Sequence, residues 1–385
     1  MSAKKTSDDW LMSEVMAGRI DTVALSFADR LGAWRGKRVP AKDFVEHGST
    51  TLGFCDGMIV CDIQCGVIEE TPFSNFSTGY PDLHVTLDPR EARPMGWRPR
   101  EAYVFGVPSD RHGTSLSVAP SAVLQSVLRR LEAVGLVVTT SAELSGAFFD
   151  SDAKPNQAFT ADEERHLPFL WLNALTASWI PVRYCHPGFD PGSFRLGIDE
   201  LSPLELAQAI VVAKGAAKEL ARVEGGDAIF MTRRPGGAEP ALLQVTVTLK
   251  PFQELSTELL ECLLGEARPL LYPSVNAMRM TDVPVVLSTR GEVSILTVSA
   301  SAEADSATVL ATVLAAVGAA LDGVQTPGSR IDALSRSAQL LESYWLRDWL
   351  GEPFLENSIP LFEHEAALFA SAVTDWEIER YWGVA

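Results

Sequence analysis

Thiols are the first candidates for chemistry, because three of the five cysteines, Cys55, Cys61 and Cys65, fall within eleven residues. Clustered thiolates can bind zinc, but structural zinc sites commonly use cysteine pairs separated by two residues. The gaps of five and three residues lack that pairing. Apolar residues alternate around Met58 and Ile63, which instead predicts strands. The sequence therefore predicts reduced thiols and no metal at these cysteines.

Motifs for nucleophilic attack and for phosphate binding are weak. Cys185 and His186 are adjacent, and neighbouring side chains on a strand point to opposite faces, so a thiolate–imidazole pair is not expected. The sequence contains no Gly-x-x-x-x-Gly-Lys loop, no Gly-x-Gly-x-x-Gly fingerprint and no serine in a nucleophile-elbow pattern. The sequence motifs considered so far therefore identify no catalytic class.

The elements that must position a site fall into two regions. Up to about residue 108, short runs rich in Val, Ile, Phe and Thr alternate with Gly, Pro and Asp, which predicts a small sheet with tight turns. A polar linker at 109–115 follows. Beyond it, helical periodicity after Pro120 mixes with strand patterns. We therefore expect an N-terminal domain over 1–115 and a larger α+β domain over 116–385.

Several elements of the second region can be predicted individually. Apolar residues recur at three- and four-residue spacing in 203–222, which predicts a helix, and helices are also predicted at 307–321 and 331–349. The run 242–249 alternates between apolar and polar residues. This alternation predicts a half-buried strand with Gln244, Thr246 and Thr248 on one face.

Composition is typical of a large folded protein, with 46% hydrophobic and 21% charged residues. The 50 acidic residues outnumber the 32 basic ones and give a net charge of -18, which disfavours binding to nucleic acid or anionic membranes. The apolar run 309–321 is shorter than the roughly 20 residues of a membrane span. The N-terminus has no basic segment leading into an apolar core. We expect no nucleic-acid partner, no membrane partner and a cytoplasmic location.

One short segment carries a family resemblance. Pro191-Gly192-Ser193-Phe194-Arg195-Leu196 resembles the Pro-Gly-Gln-Phe-Glu-Leu segment of glutamine synthetases, with its two reactive positions changed. Further segments resemble the family in the same order along the chain, at 31–40, 78–83, 229–231, 273–276 and 373–381. The stretch 78–83 is similar to the branch that ligates glutamate to amines. The resemblance spans nearly the whole chain.

The resemblance implies the glutamine synthetase fold. Family members have an N-terminal β-grasp-like domain and a C-terminal domain whose curved antiparallel sheet forms a funnel-shaped active site. They assemble into rings in which the N-terminal domain of one subunit closes the active site of its neighbour. The resemblance thus implies a homo-oligomer, or a hetero-oligomer with a glutamine synthetase-like paralogue.

The metal-binding positions of the family are mostly changed. Family enzymes use divalent cations because ATP and the γ-carboxylate of glutamate are both anions and must be brought together. Glu143 matches the first Glu of the Glu-x-Glu-Phe segment, but Ser145 replaces the second. Gly188 and Arg195 replace two further Glu ligands, and Gln244 replaces a His ligand. Because Arg195 would repel a metal and could pair with Glu143, we expect no bound metal and no cofactor.

Two neighbouring residues leave an alternative open, since His186 and Asp190 could partly compensate for the lost ligands. Magnesium or manganese and ATP would be required only in that case, or in another form of active ligase.

The resemblance also implies substrate positions. Asn276 and Arg279 match the glutamate-binding Pro-Thr-Val-Asn-Ser-Tyr-Lys-Arg segment, and Arg290 matches a later arginine. Arg233 and Arg234 stand where the family has Phe-Met-x-Lys-Pro and are candidate nucleotide-binding residues, with an exposed basic loop as the alternative. The candidate substrate-binding residues are Glu143, Arg195, Gln244, Asn276, Arg279 and Arg290.

Three functions are compatible with these substitutions. The first is a non-catalytic pseudoenzyme that serves as a structural or regulatory subunit, either in a homo-oligomer or together with an active paralogue. The second is an ATP-dependent carboxylate–amine ligase in which Arg195 replaces one cation. The third is a module that binds an amino acid or another small carboxylate without turnover.

Overall fold

The computed structural model describes residues 10–47, 50–149, 167–234, 237–280, 282–325, 337–373 and 380. The strands are β1 (Thr22–Ala28), β2 (Trp34–Pro40), β3 (Thr50–Cys55), β4 (Asp82–Leu87), β5 (Arg93–Pro94), β6 (Glu101–Phe105), β7 (Pro108–Ser109), β8 (Val137–Phe149), β9 (Val182–Pro187), β10 (Ser193–Leu201), β11 (Asp227–Ile229), β12 (Leu242–Lys250), β13 (Val285–Arg290) and β14 (Val293–Ser301). The helices are α1 (Trp10–Met16), α2 (Ala41–His47), α3 (Pro120–Ala133), α4 (Leu167–Ala177), α5 (Pro203–Val223), α6 (Thr257–Glu266), α7 (Arg268–Leu271), α8 (Ser306–Leu321), α9 (Tyr344–Leu350), α10 (Glu352–Glu356) and α11 (Ile359–Ser371). Short 3-10 helices lie at Asp56–Ile59, Pro89–Glu91, Ala277–Arg279 and Ser337–Leu341.

The N-terminal region contains two sheets where the sequence predicts one. A four-stranded sheet has the order β2-β1-β6-β5, with β1 and β6 parallel at its centre, and a second sheet has the order β3-β4-β7. The strands predicted around Met58 and Ile63 are wrong, because a 3-10 helix and turns occupy this segment. The Asp62 carboxylate accepts hydrogen bonds from the backbone N–H groups of Gln64 (2.8 Å) and Gly66 (2.6 Å), which stabilises a turn instead of a strand ladder.

A seven-stranded antiparallel sheet dominates the rest of the chain. Its order is β13-β14-β12-β8-β10-β9, and β11 pairs with β8. Leu243, Val245 and Val247 of β12 are fully buried, whereas Gln244 and Thr246 lie on the opposite, more accessible face. The predicted alternation is therefore confirmed. One face of the sheet packs in the core and the other presents polar side chains.

Helices cover the apolar face. The predicted helices after Pro120, at 203–222 and at 307–321 are confirmed as α3, α5 and α8. The helix predicted at 331–349 is not continuous in the described residues, where Ser337–Leu341 is a 3-10 helix and α9 begins at Tyr344. Its first six residues, 331–336, lie outside the described part. The two short helices still bury Leu340, Leu346 and Trp349, so the apolar spacing is satisfied without one long helix.

Hydrogen bonds and an ion pair attach the four-stranded sheet to α5. The Glu219 carboxylate accepts from Trp97 Nε1 (2.6 Å) and Arg98 Nε (2.7 Å). A methyl group added at Gly96 would lie 2.2 Å from the carbonyl oxygen of Ala174, so only glycine permits this close approach to α4. These contacts fix the four-stranded sheet against α5 and α4. The domain division at residue 115 stays a prediction.

In the described part of the chain, none of the helices combines the length and apolar character required to cross a membrane.

Helix α8 begins at a buried carboxylate with a pH-dependent effect on stability. Asp305 Oδ2 accepts a hydrogen bond from the Thr308 N–H (2.7 Å), and burial raises the pKa of Asp305 to about 6. A raised carboxyl pKa means that the folded state binds the proton more tightly. Protonated Asp305 therefore contributes most to stability below the ordinary carboxyl pKa, and this contribution is lost as pH rises through about 6.

We expect Asp305→Asn to remove this contribution to the pH dependence, which is about 1.4 kcal/mol for each pKa unit. The measurement is the free energy of urea unfolding of both proteins at several values between about pH 4 and pH 7. The wild type should lose stability relative to Asp305→Asn as pH rises. Parallel pH profiles for the two proteins would show that Asp305 does not titrate in this range.

Candidate functional site

Two rows of side chains cross the accessible face of the large sheet. Residues directly opposite one another in antiparallel strands present their side chains to the same face. The first row runs across five strands through Tyr184, Gly197, Glu143, Gln244 and Ser299. The second row lies two residues along and contains His186, Arg195 and Ser145. The strand register therefore brings together Glu143, Arg195 and Gln244, which the sequence singles out.

Arg195 bridges two carboxylates in a cavity of about 310 Å³, which we call the ion-pair pocket. Its Nη1 lies 3.0 Å from Glu143 Oε1 and its Nη2 lies 3.2 Å from Glu239 Oε2. Burial alone would lower the pKa of Arg195, but the hydrogen bonds and charges of Glu239 and Glu143 outweigh burial and raise it. The guanidinium therefore stays charged. The predicted pairing of Arg195 with Glu143 is present.

Tyr184 completes the contacts of Glu143. Its hydroxyl donates to Glu143 Oε2 at 2.5 Å, and its ring crosses over Gly197, where an added methyl group would lie 2.6 Å from the ring. Burial and the bond to Glu143 raise the pKa of Tyr184 to about 12, so the hydroxyl stays protonated and donates. Both oxygens of Glu143 are thus engaged, one by a cation and one by a phenol.

A loop held by Asp190 brings Glu239 to the pocket. The Asp190 carboxylate accepts from Arg234 Nη2 (2.9 Å) and from the N–H groups of Ala238 and Glu239 (2.8 Å each). Arg234 also donates to the Glu239 carbonyl at 3.1 Å, and its side chain is only 3% exposed. Asp190 therefore stabilises the loop through Oδ2, the oxygen that accepts all three bonds. That oxygen is engaged and is a poor candidate to compensate for a lost metal ligand.

The side chains of the ion-pair pocket do not offer the set of ligands that a divalent cation needs. Magnesium and manganese need several free oxygen ligands, preferably carboxylates. Glu143 and Glu239 each have one oxygen paired with Arg195, and Ser145 Oγ accepts from the Leu242 N–H at 2.8 Å. Within the described ranges, no group of three or more His, Cys, Asp or Glu side chains is placed to hold a metal.

Gly188 stands where the resemblance implies a carboxylate, and its surroundings leave little space for one. A side-chain carbon added at Gly188 would lie 2.4 Å from Ser193 Oγ, which itself donates to the Asp190 carbonyl at 2.6 Å. A carboxylate side chain at residue 188 would therefore require Ser193 to move. The two substitutions at 188 and 193 are sterically coupled.

A second cleft, of about 680 Å³, carries the basic candidates and is called the arginine cleft here. Arg233, Arg234, Asn276 and Arg279 line it. Asn276 fixes the backbone of Arg233 by accepting from its N–H (2.6 Å) and donating to its carbonyl (2.8 Å). Arg233 and Arg279 are exposed, and the Arg279 guanidinium lies 5.8 Å from the centre of the Phe369 ring. Both can therefore meet an anion from solvent.

The two cavities are neighbours, because Glu239 and Pro240 line both. Arg290 lies apart from them, at the end of edge strand β13, where it pairs with Val293 across a turn. The structure thus collects all the predicted site residues except Arg290 into two adjoining cavities. Their assignment to substrate and nucleotide stays a prediction.

Sequence reasoning missed Tyr184 and Glu239. Tyr184 could have been found from the register of β9 and β10, which places it opposite Gly197. Glu239 follows no periodic pattern, and its approach to Arg195 depends on the Asp190–Arg234 contact between segments 44 residues apart. No local signal in the sequence reports that contact.

The fold defines a structural class. The chain superimposes on solved structures titled "GmaS/ADP complex-Conformation 1" (TM-score 0.74, 18% identity, covering 96% of this chain and 99% of that one) and "Crystal structure of novel glutamine synthase homolog" (TM-score 0.76, 18% identity, 94% and 98%). The predicted α+β fold, with a β-grasp-like N-terminal part and a curved antiparallel sheet, is confirmed. The chain has a glutamine synthetase-like fold.

Curated relatives agree with this class. Gamma-glutamylethanolamide synthetase GlnA4 of Streptomyces coelicolor is 27% identical over 57% of this chain and 52% of its own length. Glutamate–isopropylamine ligase of a Pseudomonas species is 22% identical over 56% and 51%, and Type-1 glutamine synthetase 2 of Dictyostelium discoideum is 21% identical over 59% and 47%. The chain thus spans about half the length of the curated relatives it matches. No family model matches the sequence.

Proposed function

We propose that this chain is a non-catalytic glutamine synthetase-like subunit, with a structural or regulatory role in a homo-oligomer or in a hetero-oligomer with an active paralogue. The observation that carries the proposal is Arg195, whose guanidinium bridges Glu143 and Glu239 at 3.0 and 3.2 Å. A cation supplied by the chain itself balances the charge that metal ions balance in the family. In a pocket of this kind the guanidinium offsets the repulsion between the two carboxylates, so no metal is needed for that purpose.

Ligand binding without turnover is compatible with this role. The exposed Arg233 and Arg279 face the arginine cleft, and a small carboxylate such as an amino acid is the ligand that fits two guanidinium groups next to the Asn276 amide. Such binding would let the subunit respond to a metabolite.

A second candidate is an ATP-dependent carboxylate–amine ligase that forms γ-glutamyl amides. It is favoured by the names of two relatives, the γ-glutamylethanolamide synthetase and the glutamate–isopropylamine ligase. In this case Arg195 would replace one cation in stabilising phosphoryl or carboxylate charge, since fixed positive charge can stabilise a transition state. The two candidates differ in what Arg195 does.

An assay of turnover tests the proposal. The purified chain is incubated with ATP, glutamate, magnesium or manganese, and ammonia, ethanolamine or isopropylamine, with the Streptomyces coelicolor relative assayed in parallel. We expect no ADP or amide above the protein-free blank, whereas the relative should turn over at a rate typical of enzymes, about 1 per second or more.

Two variants distinguish the candidates if product does form. Loss of activity in both Arg195→Gln and Arg195→Glu would support the ligase with Arg195 as a catalytic cation. A γ-glutamyl amide formed by the wild type at an enzymatic rate would overturn the non-catalytic proposal, whatever the variants do.

A further inference from the structure

A further large cleft lies outside the ion-pair pocket and the arginine cleft. It measures about 740 Å³ and is bounded by strand β2 of the four-stranded sheet and by helix α5, and it is called the lysine cleft here. Trp34 contributes to one wall, and Lys214, Lys218 and Arg222 contribute to the other. None of the residues that line the ion-pair pocket lines it, and it meets the arginine cleft only at Val275 and Asn276.

The basic side chains of α5 form one stripe. Lys214, Lys218 and Arg222 follow one another at four-residue spacing, which places them on the same face of the helix. Lys214 is 9% exposed, and its ammonium donates a hydrogen bond to the Ala304 carbonyl at 3.1 Å. Burial lowers the pKa of Lys214 to about 8; the charge of Lys218 acts in the same direction, whereas the charges of Asp305 and Glu303 oppose it. Lys218 is exposed overall, but partial desolvation of its ammonium and the charge of Arg222 lower its pKa. The three cations therefore repel one another.

The charges of Asp305 and Glu303 partly compensate that of Lys214, but the carboxylates of the cleft do not pair with Lys218 or Arg222. Glu219 is engaged by Arg98 and by Trp97. Glu303 accepts hydrogen bonds from the Thr232 N–H and from Ser274 Oγ. Glu365 also lines the cleft, and burial raises its pKa, which disfavours its charged form. Among the described residues, no carboxylate lies within 4.0 Å of the Lys218 or Arg222 nitrogens.

A solvated basic surface is the simplest alternative for Lys218 and Arg222, since both are exposed. Several exposed arginines elsewhere are paired, as in Arg19–Glu14 (2.6 Å) and Arg183–Asp199 (2.6 Å). In a chain with net charge -18, an unpaired stripe that ends in a buried lysine is unusual. An anion seated on the stripe would relieve the mutual repulsion.

We propose that the lysine cleft binds a small organic phosphate. Lys218 and Arg222 would contact the phosphate oxygens, since ammonium and guanidinium groups donate short charge-assisted hydrogen bonds to phosphate. Trp34 is partly buried, lies against Gly215 of α5 and packs near Phe105 and Tyr103, so it offers a fixed aromatic surface to the organic part next to the basic stripe. The proposal is independent of whether the ion-pair pocket supports turnover.

Isothermal titration calorimetry with phenyl phosphate tests this site, with inorganic phosphate as the second probe, at constant ionic strength. Phenyl phosphate combines a dianionic phosphate with an aromatic ring. We expect it to bind more tightly than inorganic phosphate, and Lys218→Gln and Arg222→Gln each to weaken its binding about tenfold. Lys218→Arg should retain binding, because it keeps the charge. Both positions are exposed, so the substitutions should leave the fold intact.

Arg233→Gln is the matched control, because it removes an exposed cation from the arginine cleft and leaves the lysine cleft unchanged. It should bind phenyl phosphate like the wild type. Three results would overturn the proposal: no heat of binding up to about 1 mM probe, equal affinity for the two probes, or a loss of affinity in Arg233→Gln as large as in the two α5 variants.

Discussion

Replacing Arg195 with glutamate is expected to make the stability of this protein depend on a divalent cation. The substitution would place a third carboxylate beside Glu143 and Glu239, in a row where the wild type has a guanidinium. Carboxylates held together repel one another and destabilise the fold unless a cation joins them. Magnesium and manganese are suited to such oxygen donors. A ligand that binds only the folded state stabilises it by about 2.7 kcal/mol at a hundredfold excess over its Kd.

The measurement is the unfolding temperature of the wild type and of Arg195→Glu with and without magnesium or manganese. Without metal, the variant should unfold at a lower temperature, and added metal should restore part of the loss. The wild type should not respond. Arg195→Gln is the control, since it removes the cation without adding a carboxylate and should lose about 1 kcal/mol, because the pairs are partly exposed. An equal metal response in all three proteins would contradict this explanation.

Replacing Phe194 with alanine is expected to have the largest effect on stability. Phe194 is fully buried in the strand that carries Arg195, and its ring centre lies 4.6 Å from that of Phe148 and 4.9 Å from that of Trp171. It also fills the space above Gly146, where an added methyl group would lie 2.6 Å from the ring. Truncation would leave a cavity at the centre of the sheet and cost about 3–5 kcal/mol.

Urea unfolding of Phe194→Ala and of Phe76→Ala provides the comparison. Phe76 is 83% exposed, so its truncation should change the free energy of unfolding by less than about 0.5 kcal/mol. Phe194 also anchors the strand that presents Arg195. Phe194→Ala should therefore also weaken the contacts of Arg195 with Glu143 and Glu239. Similar losses in the two variants would mean that the cluster around Phe194 does not stabilise the fold.

Much of the fold follows from local pattern. The helices after Pro120 and at 203–222 were predictable because their apolar residues recur with helical spacing, and β12 because polar and apolar residues alternate. The prediction of strands near Met58 was wrong because the Asp62 side chain stabilises a turn. The alternation of apolar and polar residues does not report such a contact.

The site was predictable only in part, and for a related reason. Glu143 and Arg195 lie in segments that resemble a known family, so their proximity could be inferred from matched positions. Glu239 could not be inferred, because it reaches Arg195 through a loop that depends on the Asp190–Arg234 ion pair. Contacts between irregular segments depend on tertiary structure and leave no periodic signal.

We propose that Arg195 occupies the place that a metal ion takes in glutamine synthetases. Binding of Mn²⁺ to the wild type, followed by the electron paramagnetic resonance signal of the free ion, tests it most directly. We expect no site with a Kd below about 1 mM in the wild type. A micromolar site in the wild type that is lost in Glu143→Gln would show that the pocket still binds metal and would contradict the claim.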